Sequence, residues 1–275
     1  MPPRTWLITG SSSGFGLEIV KAAAARGDHV IATMRNPSSF IIPVGLAGVI
    51  TPMTLDVTDV SQVQQVVSQV VRDHGQIDVL VNNAGYGLIG ALEECTEEQI
   101  RRNLETNLLG PIHTMRAVLP IMRTQKSGHI INISAAAAIE NYAGFSIYGG
   151  SKYALEGVSE AVAAEAKPLG IRMTIVQPGP FRTDFIARSL DRAPNSIPDY
   201  QATAGKFAAF LDGANGKQPG DPAKAAALIV SQVDAERPPL RLTLGKYAVG
   251  KVRRKHASVI RDLEAWEAQS TATDF

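Results

Sequence analysis

The sequence predicts an α/β protein: one doubly wound parallel sheet of about seven strands, with helices on both faces. Three observations carry this reading. Short β-branched or leucine-rich runs alternate with longer helical patterns nearly throughout. Runs such as VLVNNAG and HIINIS are continuously apolar rather than alternating, as strands covered on both faces are. The 275 residues contain no internal repeat, low-complexity tract or linker that would split them, so 1–275 reads as a single domain.

The elements follow in order. Thr5–Thr9 (TWLIT) is the first strand, and a glycine-rich turn leads from it into the helical stretch Gly16–Arg26. His29–Met34 and Val49–Leu55 are the next strands; Val60–Asp73 is helical behind the capping residues Thr58 and Asp59. Asp78–Val81 is a fourth strand, and Glu97–Arg123 a long helical pattern. His129–Ser134, Arg172–Val176 and Leu240–Leu244 complete the strands, with helix Ser151–Lys167 between the first two of these. Strand–helix–strand alternation of this kind implies right-handed crossovers.

Residues 182–221 break the rhythm with a long stretch dotted with proline and glycine. Connections of that length are commonly functional lids, and Phe185, Ile186, Leu190, Tyr200, Phe207 and Phe210 give this one apolar groups to pack. The alternative is a surface insert with a little helix of its own. Residues 246–275 read as a last helix with a ragged tail.

Composition narrows the function classes. Hydrophobic content is 45%, charged content 19%, and the net charge +1, so no global field points to nucleic acid or a membrane surface. Cys95 is the one cysteine, which excludes an internal disulfide and fits a reducing compartment. The N-terminus moves too quickly into a strand for a signal peptide, and no apolar stretch reaches membrane-spanning length. A cytoplasmic protein is expected. His29, His74, His113, His129 and His256 lack paired metal-ligand spacing, and no C-x-x-C or G-x-S-x-G occurs. The basic run KVRRKH, Lys251–His256, reads as a solvated helix face.

Two glycine motifs compete for a phosphate-binding role. GYGLIG (Gly85, Gly87, Gly90) spells G-x-G-x-x-G, but it follows the fourth strand and no apolar helix opens behind it. TGSSSGFG (Thr9, Gly10, Gly14, Gly16) has the right context between the first strand and the helix LEIVKAAAARG. Glycines there let backbone approach a pyrophosphate, whose charge is favoured at a helix N-terminus. The second motif is taken as the phosphate loop.

Together with LDV (Leu55–Val57), NNAG (Asn82–Gly85), Asn107, Ser134, Tyr148/Lys152 and PGPFRT (Pro178–Thr183), that loop resembles the classical short-chain dehydrogenase/reductase family. The resemblance runs in family order from about Thr5 to Thr183. It implies a Rossmann-type domain, a nicotinamide cofactor, and a homodimer or homotetramer built on the helices Glu97–Arg123 and Ser151–Lys167. Within it, Gly10, Ser12, Ser13, Gly14, Phe15 and Gly16 would cradle the pyrophosphate. Asp56 and the Val57 backbone would meet the adenine, and Asn83, Ala84 and Gly85 would lie beside the cofactor. Pro178, Gly179 and Thr183 would hold the nicotinamide end together with Tyr148 and Lys152. The second strand ends VIATMRNP, with Met34 where an acid would bind the NAD ribose and Arg35 beside it. A guanidinium there suits the 2′-phosphate, so NADP(H) is preferred, with NAD(H) as the alternative.

Reducing a carbonyl leaves charge on oxygen, so the site needs a proton donor and a hydrogen-bond donor. In SIYGGSKYALEG, Tyr148 and Lys152 stack one turn apart only if the stretch is helical despite Gly149 and Gly150. An ammonium there, with the positive nicotinamide, would lower a phenol pKa whose reference value is about 10. Ser134, ending HIINIS, would polarise the carbonyl, and Asn107 resembles the family asparagine that holds a relay water. Replacing both glycines by alanine is expected to stabilise the helix.

The lining suggested by Ala135–Ala138, Tyr142, Phe145, Phe181 and Phe185 is apolar. The reading is an NADPH-dependent oxidoreductase acting on a hydrophobic ketone, aldehyde or alcohol, and the strand end VIATMR resembles steroid and retinol enzymes of the family. The alternatives are a non-catalytic NADP(H) sensor and an epimerase or dehydratase that recycles its nicotinamide.

Overall fold

The computed structural model describes residues 2–46 and 49–275. The described residues form the strands β1 Thr5–Thr9, β2 His29–Met34, β3 Ile50–Thr54, β4 Val79–Asn82, β5 Gly87–Ile89, β6 Gly128–Ile133, β7 Ile171–Pro178, β8 Leu190–Arg192 and β9 Arg241–Leu244. The helices are α1 Gly14–Ala24, α2 Val60–His74, α3 Glu97–Leu104, α4 Gly110–Gln125, α5 Ser146–Ala166, α6 Phe185–Arg188, α7 Lys206–Ala214, α8 Pro222–Ser231 and α9 Lys246–Thr271.

Seven strands form one sheet in the order β3-β2-β1-β4-β6-β7-β9, every pair parallel. The continuously apolar strand sequences are explained by burial on both faces. In β1 Trp6 and Ile8 join the layer beneath α1 and α8, with Ile19, Val20, Ala226 and Ile229. Leu7 between them faces the opposite layer, with Val63, Val67, Met115 and Val118, as period-two alternation requires. The chain winds outward from β1 to β3, then returns to β4 and proceeds the other way. The loops after β1 and β4 therefore diverge, and a crevice opens at the C-terminal ends of the strands.

Strand limits agree with the sequence reading to within a residue or two. Two features depart from the sequence reading, and a third bears it out. β5 and β8 form a separate parallel pair, Gly87 opposite Leu190, so the GLI of GYGLIG is a strand that docks residues 182–221. The helical stretch from Glu97 is broken by a π-turn at Glu105–Leu109, directly before Pro111, whose ring nitrogen cannot donate to the carbonyl of Asn107. Helix α5 begins at Ser146, so Tyr148 lies inside it and Gly149–Gly150 is not a turn. Residues 182–221 carry α6, β8 and α7 and close against the body: Ile197 N–H donates to Glu94 Oε1 at 2.8 Å, and Tyr200 Oη to Glu93 Oε2 at 2.6 Å.

Candidate active site

Loops at the C-terminal edge of the sheet enclose a cavity of about 1310 Å³, larger than the few hundred Å³ that hold a single small ligand. One end is built by the glycine loop. Gly10 and Gly14 have φ of 66° and 56°, left-handed values that favour glycine. Asn83 Nδ2 donates to Thr9 O at 3.0 Å and Gly10 O at 2.9 Å, pinning the loop to the end of β4. A Cβ on Gly16 would sit 2.5 Å from that amide nitrogen, so close packing explains this glycine too.

The α1 N-terminus has no side-chain cap and no acid in its first turn. By contrast, Asp59 caps α2 and Asp221 caps α8 through their carboxylates. An uncapped, uncharged helix start facing a cavity favours an anion there. Ser12, Ser13, Phe15, Ala84, Pro178 and Gly179 line the same space. So do Arg35, Asp56, Val57 and Thr183. Arg35 is exposed at its rim, and Arg102 of α3, which the sequence did not single out, also lines it. Asp56 is engaged by Thr58: its Oδ1 accepts from Thr58 N–H at 2.9 Å and Thr58 Oγ1 at 2.7 Å.

The chemistry-bearing residues meet at the other end. Tyr148 and Lys152 are both buried on one face of α5. Lys152 Nζ donates to Ile133 O at 2.9 Å. Burial lowers its pKa to about 8, with Glu156 opposing. Burial also pushes Tyr148 well above the ordinary phenol value. The reason is the surroundings: Phe145 and Phe185 rings lie 4.9 and 5.7 Å from the Tyr148 ring, and the ammonium is turned to a backbone carbonyl.

Asn107 is buried in the π-turn. Its Oδ1 accepts from Tyr86 N–H at 3.0 Å, and its Nδ2 donates to Tyr86 O at 2.8 Å. The side chain thus fastens the backbone just after the NNAG loop. A Cβ on Gly85 would lie 2.9 Å from Asn107 Oδ1 and 3.4 Å from Lys152 Nζ; the bare glycine is what lets these two groups approach one another.

Ser134 departs from expectation. Its Oγ donates to Glu156 Oε1 at 2.6 Å, and a hydroxyl has a single proton to give. Ser134 and Ala135 both line the cavity, and Ala135 packs there with Tyr148, Phe145 and Ala137. Glu156 also accepts from Gln177 Nε2 at 3.0 and 2.9 Å and from Arg241 Nε at 3.3 Å.

Aromatic rings wall the far side. Tyr142 stacks on Phe207 of α7 at 4.8 Å with planes 7° apart, and Phe145 meets Phe207 edge-on at 5.0 Å. Phe207 therefore packs residues 182–221 against the cavity wall; Phe210 stays 65% exposed. Behind Tyr142, Lys251 Nζ lies 3.3 Å from its ring centroid, and the Tyr142 and Tyr247 hydroxyls are 3.0 Å apart. Lys251 is buried, which corrects the reading of KVRRKH as wholly solvated: its first residue is an internal cation–π contact.

The family model for short chain dehydrogenase matches residues 4–193. The chain belongs to the short-chain dehydrogenase family. A short-chain dehydrogenase from Streptomyces avermitilis superposes with a TM-score of 0.92 at 41% identity, covering 98% of this chain and 100% of that one. An oxidoreductase of Botryotinia fuckeliana, BOA17, is 38% identical over 98% of this chain and 99% of its own. A 3-ketodihydrosphingosine reductase of Bacteroides thetaiotaomicron is 37% identical over 89% of each chain.

Short-chain dehydrogenases are oxidoreductases that use nicotinamide cofactors, and the residues present fit such a group. The uncapped α1 start suits a diphosphate, and the positive-φ glycines leave backbone bare beside it. Among the described residues no cluster of His, Cys, Asp or Glu could hold a metal ion, and no helix is long and apolar enough to cross a membrane. Glu156, Tyr247 and Lys251 escaped the sequence reading. For Glu156 the available signal was helical spacing, since it continues the Tyr148–Lys152 face by one further turn.

Proposed function

We propose that this short-chain dehydrogenase is an NADPH-dependent reductase of a hydrophobic ketone or aldehyde, also able to run the reverse oxidation. The observation that carries the reading is the placement of Tyr148 and Lys152. They lie buried one turn apart between an aromatic-walled cavity and the glycine loop. Bound NADPH would supply the hydride. Burial keeps the Tyr148 hydroxyl protonated at neutral pH, so it can give its proton to the carbonyl oxygen as charge develops there. The Lys152 ammonium stands on the same face to offset the phenolate left behind. The rings of Tyr142, Phe145, Phe185 and Phe207 exclude water and select an apolar substrate. A relative named as a 3-ketodihydrosphingosine reductase supports a ketone.

Met34 and Arg35 at the cavity rim support NADP(H) over NAD(H). Cys95, the one cysteine and free, supports a reducing, cytoplasmic setting. The same reading includes a homodimer or homotetramer assembled on α4 and α5. A panel of hydrophobic ketones followed by NADPH oxidation tests the activity. Net NADPH consumption that Tyr148→Phe abolishes is expected. A binding protein would consume none, an internally recycling enzyme would show product without consumption, and an unchanged rate in Tyr148→Phe would sink the catalytic assignment.

A further inference from the structure

We propose that Glu156 is the positioning residue of this active site: it holds the Ser134 hydroxyl away from the reacting carbonyl and leaves that place to Ala135. The inference rests on the reductase reading for its kinetic part and on geometry alone for the rest.

The Glu156 carboxylate is buried, and four donor contacts converge on it. Ser134 Oγ at 2.6 Å comes from the end of β6, Gln177 Nε2 at 3.0 and 2.9 Å from β7, and Arg241 Nε at 3.3 Å from β9. One carboxylate on α5 therefore ties three neighbouring strands to the helix that carries Tyr148 and Lys152. The Ser134 contact is short and charge-assisted, a stronger bond than a neutral carbonyl could offer that hydroxyl. To polarise a substrate carbonyl, Ser134 would have to give up this bond and leave a buried carboxylate one donor short. Neighbouring side chains along an extended strand end point to opposite sides. Both residues line the cavity; with the Ser134 hydroxyl turned to Glu156, Ala135 is the side chain that packs with Tyr148, Phe145 and Phe185. Tyr148 then supplies both the proton and the hydrogen bond to the carbonyl oxygen.

Glu156 has a second reach. Lys152 sits one turn before it on α5. The groups that face Lys152 from other elements are uncharged: Ile133 O of β6, which it bonds, and Asn107 of the π-turn across Gly85. On its own helix, Tyr148 is neutral. Glu156 is thus the charged partner of that ammonium, and it counters the effect of burial.

Three variants test this. Removing a working oxyanion donor costs roughly 10²–10³-fold in kcat. Ser134→Ala is expected to stay within about threefold of wild type, a change smaller than one hydrogen bond's usual contribution. Ala135→Ser, which adds a hydroxyl on the cavity side, is expected to raise kcat severalfold with KM little changed. Glu156→Gln keeps the shape but drops the charge, so Lys152 should lose its proton at lower pH and the alkaline limb of the kcat profile should move down. A purely structural role would scale that profile without moving it.

The Lys152 ammonium is also titrated in the ligand-free protein by NMR of 13Cε-labelled lysine, where its pKa should fall in Glu156→Gln and hold in Ser134→Ala. That readout stands even if no ketone in the panel is turned over, so failure of the reductase reading is separable. A 10²-fold loss in Ser134→Ala comparable with an oxyanion-donor deletion, or an unmoved Lys152 titration in Glu156→Gln, overturns the proposal. Ser134→Ala and Ala135→Ser decide the carbonyl half should Glu156→Gln not fold.

Discussion

Ser134 Oγ and Glu156 Oε1 lie 2.6 Å apart, and this bond joins the end of β6 to the third of three functional residues on α5. Tyr148, Lys152 and Glu156 follow one another at single-turn spacing, so in the proposed mechanism one helix face carries the proton donor, the ammonium and the anion that supports it. The face works because it is dry. All three residues are buried, and at low local dielectric a fixed charge acts more strongly on its neighbours than it would in water.

Tyr148→Phe should lower kcat by roughly 10²–10⁴-fold, the usual range for a general acid, while cofactor affinity stays near wild type. Lys152→Met should lower kcat too, and it should also weaken NADPH. Steady-state rates paired with fluorescence titration of NADPH separate the two effects. Equal loss of cofactor affinity in both variants would mean that Tyr148 acts through binding.

Arg35→Asp should weaken NADPH by about 2 kcal/mol, roughly thirtyfold, the scale of one charge-assisted hydrogen bond. NADH should gain relative to it, because the new carboxylate can accept from a ribose hydroxyl and repels a 2′-phosphate. The measurement is the ratio of kcat/KM for the two cofactors. If the ratio does not move, Arg35 is a solvated strand-end charge, and Arg102 becomes the cation to vary.

The sheet was legible in the sequence because continuously apolar strands and a glycine-rich turn are local signals. Tyr148 and Lys152 were legible once the helix was accepted over Gly149–Gly150. Ser134 shows where such reading ends. A strand-end hydroxyl was visible at 134, but its direction is set by the acceptor Glu156, 22 positions later in the chain. Asn107 is similar: helical periodicity ran through it, and the π-turn that buries it is announced only by Gly110–Pro111. Lys251 looked solvated because its partner, the Tyr142 ring, lies more than a hundred positions earlier in the chain.

The paired glycines of α5 are not equivalent, contrary to the expectation that alanine at both would stabilise the helix. A Cβ on Gly150 meets nothing within 4 Å, so Gly150→Ala should gain up to about 1 kcal/mol. A Cβ on Gly149 would overlap the Asn141 side chain. That side chain is held in place, donating to Phe145 O at 3.1 Å and accepting from Tyr142 N–H at 2.8 Å. Gly149→Ala should therefore destabilise the protein, displace Tyr142 and raise KM. Urea unfolding of the two single variants decides it; equal stabilisation by both would contradict the packing.

His129 gives the fold a pH dependence unrelated to catalysis. It is buried in β6, its Nε2 lies 2.9 Å from Thr174 Oγ1, and its Nδ1 has no partner. Burial, helped by Arg172 and Arg4, lowers its pKa from 6.5 to about 3. The folded value is the depressed one, so the stabilising contribution is complete above pH 6.5 and is lost as pH falls from there toward 3. Over that window the unfolded chain binds one more proton, and stability should drop by about 1.4 kcal/mol per pH unit from this residue. His129→Leu removes the proton while filling much of the same space. Urea midpoints between pH 7 and pH 4.5 should then show a shallower slope in the variant, by close to one proton. Parallel slopes for the two proteins would place the acid sensitivity elsewhere, since carboxylates in ion pairs such as Asp234 with Arg4 and Arg26 lose their contribution at lower pH.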